Sequence, residues 1–266
     1  MPIRLLACDL DGTLADHDGH ISDESVAALA RARSQGVQVV VATGRLPFAI
    51  HSFLDRIGVT DEPMITGQGA LIGYRDGRVL RRLHLDARVA LQATRIAADL
   101  GAGMAYFTES EILVDRFVYP RERYEAWFGE HLVYDPAAAD RLNGHLIKFI
   151  ALHPDLNAVP HVATSLSAAL AGVADVTQSW VYFVEGTTPG ADKGAALAWL
   201  CARLGIDRSE VLAAGDAGND ITMLRWAGQS AAPADGHPSA LAAAGWVAPP
   251  LPEHPVAATL AYYLGW

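Results

Sequence analysis

Apolar positions along the chain follow two rhythms. In the first eighty residues, short unbroken apolar runs alternate with mixed stretches. Ile3 to Ala7 is an apolar run that ends at acidic residues, the pattern of a strand buried on both faces of a parallel sheet. Ser22 is placed to cap a helix running through Gln35, with Asp23 and Glu24 favourable in its first turn and Gly36 as its stop. Val37 to Ala42 predicts a second strand, and Pro47 suits the first turn of a helix that ends at Gly58. Pro63 to Thr66 predicts a third strand, and Ala70 to Tyr74 with Val79 to Leu83 predicts a hairpin turning at Arg75-Asp76-Gly77. This βαβαβ order implies a doubly wound, mainly parallel α/β sheet whose ligand crevice lies at the carboxyl ends of its strands.

The middle of the chain changes rhythm. Helices are expected near Asp86 to Leu100, Glu122 to His131 and Pro160 to Leu170. Short strands are expected at Gly103 to Phe107, Glu111 to Asp115, Leu146 to Leu152, Ala174 to Gln178 and Trp180 to Glu185. Paired strands with intervening helices suggest a separate α+β unit. From Lys193 the α/β rhythm returns, with a helix to Leu204, a strand at Val211 to Ala214, then Gly215-Asp216. The expected organisation is a Rossmann-like core of residues 1–83 and 189–266, with residues 84–188 inserted as a cap.

Composition narrows the function. The chain has 266 residues, 51% hydrophobic and 19% charged, which excludes a disordered protein. Its net charge of −10 and lack of a basic run argue against a nucleic-acid or anionic-membrane partner. The two cysteines, Cys8 and Cys201, fall in apolar runs without a ligand-like neighbour and read as buried thiols. No signal-peptide pattern or membrane-length apolar stretch is found, so the expected location is the cytoplasm.

Four short motifs follow predicted strands or open a predicted helix. Asp9-Leu10-Asp11-Gly12-Thr13-Leu14 places two carboxylates just past the first strand, and Gly12 permits a sharp turn whose amides can face an anion. An ordinary acidic turn would also use these residues. Thr43-Gly44-Arg45 offers a hydroxyl and free amides at a strand end, which suits a phosphoryl oxygen or merely a strand-to-helix turn. Lys193 opens a helix against the helix dipole, so it is either solvated or held there for another reason. Gly215-Asp216-Ala217-Gly218-Asn219-Asp220 supplies hard oxygen ligands that suit Mg²⁺ better than zinc, or else a capped loop.

Taken jointly, these motifs resemble the haloacid dehalogenase superfamily of phosphatases, in its Cof-type branch with an α/β cap between the second and third motifs. The resemblance spans essentially the whole chain and is strongest at Asp9–Leu14, Thr43–Arg45, Pro189–Gly194 and Gly215–Asp220. It implies Asp9 as nucleophile and Asp11 as general acid/base. Gly12, Thr43, Gly44, Arg45, Lys193 and Asn219 are implied as phosphate or substrate contacts. Mg²⁺ is implied on Asp9, the Asp11 carbonyl and Asp216, with Asp220 supporting the metal shell or orienting Lys193. The implied reaction is hydrolysis of a small phosphorylated metabolite, such as a sugar phosphate, through an aspartyl-phosphate. A phosphomutase or phosphotransferase would use the same intermediate, and a non-catalytic binding protein would more naturally lack Asp9 or Asp11.

Two positions depart from the family pattern. Gln68-Gly69-Ala70 stands where many relatives have Asn-Gly-Ala, and Ala234-Asp235-Gly236 where Gly-Asn-Ala is usual. Asp16, His17, Asp18 and His20 resemble a metal cluster but read better as a loop. His145 and Lys148 flank an expected cap strand, with Lys148 either solvated or facing the crevice. Trp180 and Tyr182 alternate on one strand face and read as core positions rather than as a substrate platform.

Overall fold

The computed structural model describes residues 2–129, 131–142 and 146–266. The chain divides into two compact units. The first takes the chain up to Arg45, then Ile50–Arg82 and Asp192–Trp266, and the second takes Leu46–Ala49 and Leu83–Ala191.

The first unit is built on a five-stranded parallel sheet in the order Trp246–Ala248, Gln229–Pro233, Val211–Ala214, Leu5–Cys8, Gln38–Val41. Leu5 lies opposite both Val211 and Gln38, so the first strand of the chain is interior to the sheet. Its unbroken apolar run follows from that position. Leu6 and Cys8 pack with Leu29, Leu54 and Leu260 on one face, while Leu5 and Ala7 pack with Leu197, Leu200 and Met223 on the other. Ser22 caps the helix Asp23–Ser34, its hydroxyl accepting from the Ser25 amide at 3.2 Å.

Two expectations in this unit are corrected. Met64–Thr66 does not extend the parallel sheet as a full strand. The Gly67–Gly69 turn sends the chain straight back, and Met64–Thr66 pairs antiparallel with Leu71–Gly73, which pairs with Val79–Arg82. It touches the parallel sheet only through a bridge between Ala42 and Ile65, where the Thr43 amide donates to the Ile65 carbonyl at 2.9 Å. The helix expected from Pro47 to Gly58 is a 3₁₀ turn, Pro47–Ile50, followed by the shorter helix His51–Arg56. That turn carries Leu46–Ala49, which packs as part of the second unit.

The second unit holds a six-stranded sheet in the order Asp175–Gln178, Phe183–Thr187, Lys148–Leu152, Gly103–Phe107, Ile112–Val114, Leu132–Tyr134. Neighbours run antiparallel except for the last pair, which is parallel. Helices Ala87–Asp99 and Val159–Ala169 cover one face, burying Met104, Tyr106, Phe149, Ala151 and Val184. The expected strand Trp180 to Glu185 is displaced to Phe183–Thr187. Trp180 and Tyr182 instead lie in the bend before it, closed by the Phe183 amide on the Trp180 carbonyl at 3.1 Å, and Trp180 is 46% exposed rather than core. His145 lies outside the described residues.

Lys148 is not solvated. Its ammonium donates to Glu185 Oε1 at 2.7 Å and sits 4.9 Å from the Phe107 ring centroid, and both charged side chains are buried. Cys8 and Cys201 are buried free thiols, and no helix among the described residues is long and apolar enough to cross a membrane. A buried ion pair contributes little over a well-packed apolar pair, whereas half of one is costly. Lys148→Met should therefore destabilise the protein by about 3–5 kcal/mol. The joint Lys148→Met, Glu185→Leu variant should be more stable than either single variant, as read from urea midpoints.

Candidate active site

Three strand ends of the first unit deliver the acidic groups and hydroxyls that the motifs contain. Asp9 directly follows Leu5–Cys8, and its amide donates to the Ala214 carbonyl of the neighbouring strand at 2.9 Å. Thr43 follows Gln38–Val41, the strand on the other side, where Cys8 is in register with Val41. Asp216 and Asp220 lie in the loop after Val211–Ala214. A parallel sheet brings such ends to one edge because all its strands point the same way.

Lys193 explains why a lysine can open a helix. Asp192 caps the helix Lys193–Leu204 by accepting from the Ala195 amide at 2.8 Å, and Lys193 then turns inward. Its ammonium donates to Asp9 Oδ1 at 2.5 Å and to Asp220 Oδ1 at 2.7 Å, with no solvent exposure of its side chain. Burial alone pulls this ammonium toward neutrality, but Asp220 and Asp9 outweigh it and raise its pKa above the ordinary lysine range. The solvated alternative is excluded.

Asp220 is used up within the protein. Its Oδ1 takes Lys193, while its Oδ2 accepts from the Asp216 and Ala217 amides at 3.1 and 3.0 Å. Asp216 accepts from the Thr13 hydroxyl at 2.8 Å. Gly12, at φ +83, lets the first loop rest on that carboxylate, since a Cβ there would come within 2.6 Å of Asp216 Oδ2.

Carboxylate oxygens of Asp9, Asp216 and Asp220 lie within 4.8 Å of one another. Burial pushes Asp9 well above the usual carboxylate range. Lys193 pulls it back, and Asp220 and Asp216 push it further up. Asp216 is also raised, mainly by burial, against the lowering effect of the Thr13 hydrogen bond. One ammonium thus faces three carboxylates. An all-oxygen donor set with an excess of negative charge fits a hard divalent cation such as Mg²⁺.

The remaining candidates are placed less directly. Asp11 is exposed and held by Arg45, whose Nη2 and Nε donate to its carboxylate at 2.6 and 2.9 Å, so the guanidinium expected to meet phosphate is occupied by Asp11. Arg45 also lies over Phe53, 4.9 Å from its centroid. Thr43 is buried, and its hydroxyl accepts from the Arg45 amide at 3.1 Å across Gly44. Asn219 donates to Gln68 Oε1 at 3.0 Å. Asp235 accepts from the Leu251 amide at 3.0 Å, which makes it a loop brace. Asp16 accepts from the Asp18 and His20 amides at 2.9 and 2.8 Å, the local turn expected of that loop. Thr13 was missed as a site residue, although it lies inside the first motif four positions after Asp9.

The family profile for haloacid dehalogenase-like hydrolases matches residues 6–260. An HMP-PP phosphatase from Citrobacter koseri is 31% identical over 226 residues, spanning 85% of this chain and 82% of that protein. A haloacid dehalogenase-like hydrolase from Bacteroides thetaiotaomicron has the same fold, with a TM-score of 0.89 at 23% identity over 98% of this chain and 99% of that one. A sugar phosphatase of subclass IIB gives a TM-score of 0.82 at 22% identity, over 98% and 99% of the two chains. The chain belongs to the haloacid dehalogenase-like hydrolase family. As a member of that family it is a hydrolase, and the Citrobacter koseri relative is itself named as a phosphatase.

The charge excess has a measurable sign. A carboxyl whose pKa is raised by folding stabilises the protein at low pH and loses that contribution as pH rises from its unfolded value through its folded one. Metal-free protein should therefore lose stability as pH climbs out of the ordinary carboxylate range. Asp216→Asn keeps an oxygen for Thr13 but removes one charge. Its Tm in chelator should exceed wild type by about 2–4 °C at pH 7, a gain of about 1 kcal/mol, and the gap should close toward pH 4.

Proposed function

We propose that the protein is a Mg²⁺-dependent phosphatase of small phosphorylated metabolites that works through an aspartyl-phosphate on Asp9. The observation that carries this reading is the buried Asp9 carboxylate held by Lys193 beside Asp216. The HMP-PP phosphatase and sugar phosphatase relatives support a small phosphorylated substrate.

In this reading Asp9 attacks phosphorus in line, forming a bond to it as the bond to the leaving oxygen breaks. Lys193 fixes the attacking carboxylate by its Oδ1 and places positive charge beside the transferred group. Asp11 gives a proton to the leaving oxygen, then takes one from the water that cleaves the acyl phosphate and releases inorganic phosphate. Arg45, which grips Asp11 in the structure, orients that carboxyl through both steps. Thr43, Gly12 and Gly44 offer a hydroxyl and amides to the phosphoryl oxygens, and Asn219 adds a carboxamide. When bound, Mg²⁺ supplies Lewis-acid stabilisation of charge on the phosphoryl oxygens. Asp9, Asp216 and the Asp11 carbonyl are assigned to hold it, while Asp220 serves Lys193.

All of these residues belong to the first unit and address features common to every phosphate ester. The leaving group is assigned to the second unit, Leu83–Ala191, acting as a cap.

Asp9→Asn is nearly isosteric and should leave the fold intact while turnover falls below a few per cent of wild type, and retained phosphate release from clean protein would remove Asp9 as nucleophile. Asp11→Asn should slow alkyl phosphates more than aryl phosphates in the first half-reaction, because aryl leaving groups need less protonation. A burst of phenol release at a steady-state rate below wild type would report the slowed second step. Chelation should stop turnover, Mg²⁺ should restore it, and Ca²⁺ should restore it poorly because it accepts more oxygens at longer range. Full activity of the metal-free enzyme would refute the site.

A further inference from the structure

Gln68 occupies a backbone conformation that its side chain does not favour. It stands at φ 61 and ψ 27, one of only two non-glycine residues with positive φ among the described residues. Glycine and asparagine adopt this region far more readily than glutamine. Gly67 and Gly69 on either side also have positive φ, so the turn is already rich in the residue that tolerates it. Something beyond the turn keeps a glutamine at its centre, and backbone strain of this kind clusters at functional sites.

What Gln68 touches identifies that role. Its Oε1 accepts from Asn219 Nδ2 at 3.0 Å, in the loop after Val211–Ala214. Its Nε2 lies over Gly44, where a Cβ would come within 2.6 Å of it, in the loop after Gln38–Val41. Its own amide donates to the Thr43 carbonyl at 3.2 Å. One side chain therefore spans two of the three strand-end loops that build the site. The carboxamide oxygen serves the first contact by accepting the Asn219 N–H, and the Nε2 end packs on Gly44. An asparagine would fit the turn better but falls one methylene short.

We propose that Gln68 is a positioning residue for the phosphoryl group. It holds the Asn219 carboxamide in one orientation and keeps the Thr43–Gly44 peptide seated, so that their donors converge on the same anion. Asn219 is exposed and would otherwise rotate freely; with one Nδ2 hydrogen given to Gln68, the second is left in a fixed direction. This inference rests on the phosphatase reading above and deepens it, because it assigns Gln68 to the transferred phosphate rather than to the leaving group.

The test uses inorganic phosphate and p-nitrophenyl phosphate with the Mg²⁺-loaded enzyme. Gln68→Met keeps the length of the side chain and removes its hydrogen bonds. It should weaken phosphate binding, measured by calorimetry, by about 10-fold, and lower kcat/KM on the ester by a similar factor. Gln68→Gly relieves the backbone and should keep its Tm within about 2 °C of wild type while losing the same affinity, a split that a purely structural residue would not give. Asn219→Ala should also weaken phosphate binding, and the Gln68→Met, Asn219→Ala double variant should lose clearly less than the product of the two single losses. Unchanged phosphate affinity in Gln68→Met, or losses that multiply in the double variant, would overturn the proposal. If wild-type protein releases phosphate from no ester, the phosphatase reading fails, and the calorimetric series still decides the role of Gln68.

Discussion

The first unit depends on one buried ammonium. Lys193 has no contact with solvent, so it must be paired or neutral, and it is paired with carboxylates from two different loops. That requirement ties the end of the first strand to the loop after Val211–Ala214 and to the start of the helix Lys193–Leu204. Each tie is in turn fixed by something nearby. Asp220 is pinned by two amides of its own loop, Asp192 sets the helix start, and Asp9 is fastened to Ala214.

The two buried lysines of the chain make an instructive contrast. Lys148 faces one carboxylate, Glu185, and the pair is electrically complete. Lys193 sits among three carboxylates and is not. Repulsion between unit charges about 4 Å apart amounts to about 4 kcal/mol at an effective dielectric near 20, so this deficit is felt in a buried site. Burial is the main reason Asp9 and Asp216 are raised, the neighbouring carboxylates add to it, and a hard divalent cation is the species that offsets both. Buried charge alone does not mark a site; an imbalance of buried charge does.

The parts of this architecture that were legible in the sequence are those governed by local rules. The unbroken run Ile3 to Ala7 announced an interior strand, and Ser22 announced a helix start, because burial and capping act on adjacent residues. Carboxylates at fixed spacing after such strands were legible for the same reason. The register of Met64–Thr66 was not, because the tight Gly67–Gly69 turn competes with sheet extension and the outcome depends on the hairpin that follows. The burial of Lys148 was not legible either, because its partner Glu185 lies on a different strand, and no local pattern links the two. Arg45 was assigned to phosphate from its motif, while its actual neighbour Asp11 is distant in sequence. The reach of Gln68 to Asn219 was hidden in the same way. Pairings across loops are properties of the folded sheet, and composition does not encode them.

The strand order also sets a sequence of events in the living cell. Leu5–Cys8 pairs on one side with Val211–Ala214, and the two strands beyond that one, Gln229–Pro233 and Trp246–Ala248, come later still. While the ribosome is at work, the first strand has only Gln38–Val41 beside it, whereas the six strands of the second unit are all made before Lys193 is. Chains fold from the N-terminus as they emerge, and pairings between distant segments close last. The nascent chain therefore carries a finished insertion inside an unfinished core. The Asp9, Asp216 and Asp220 carboxylates come together only after Asp220 has left the exit tunnel, so the acidic pocket does not exist on shorter nascent chains.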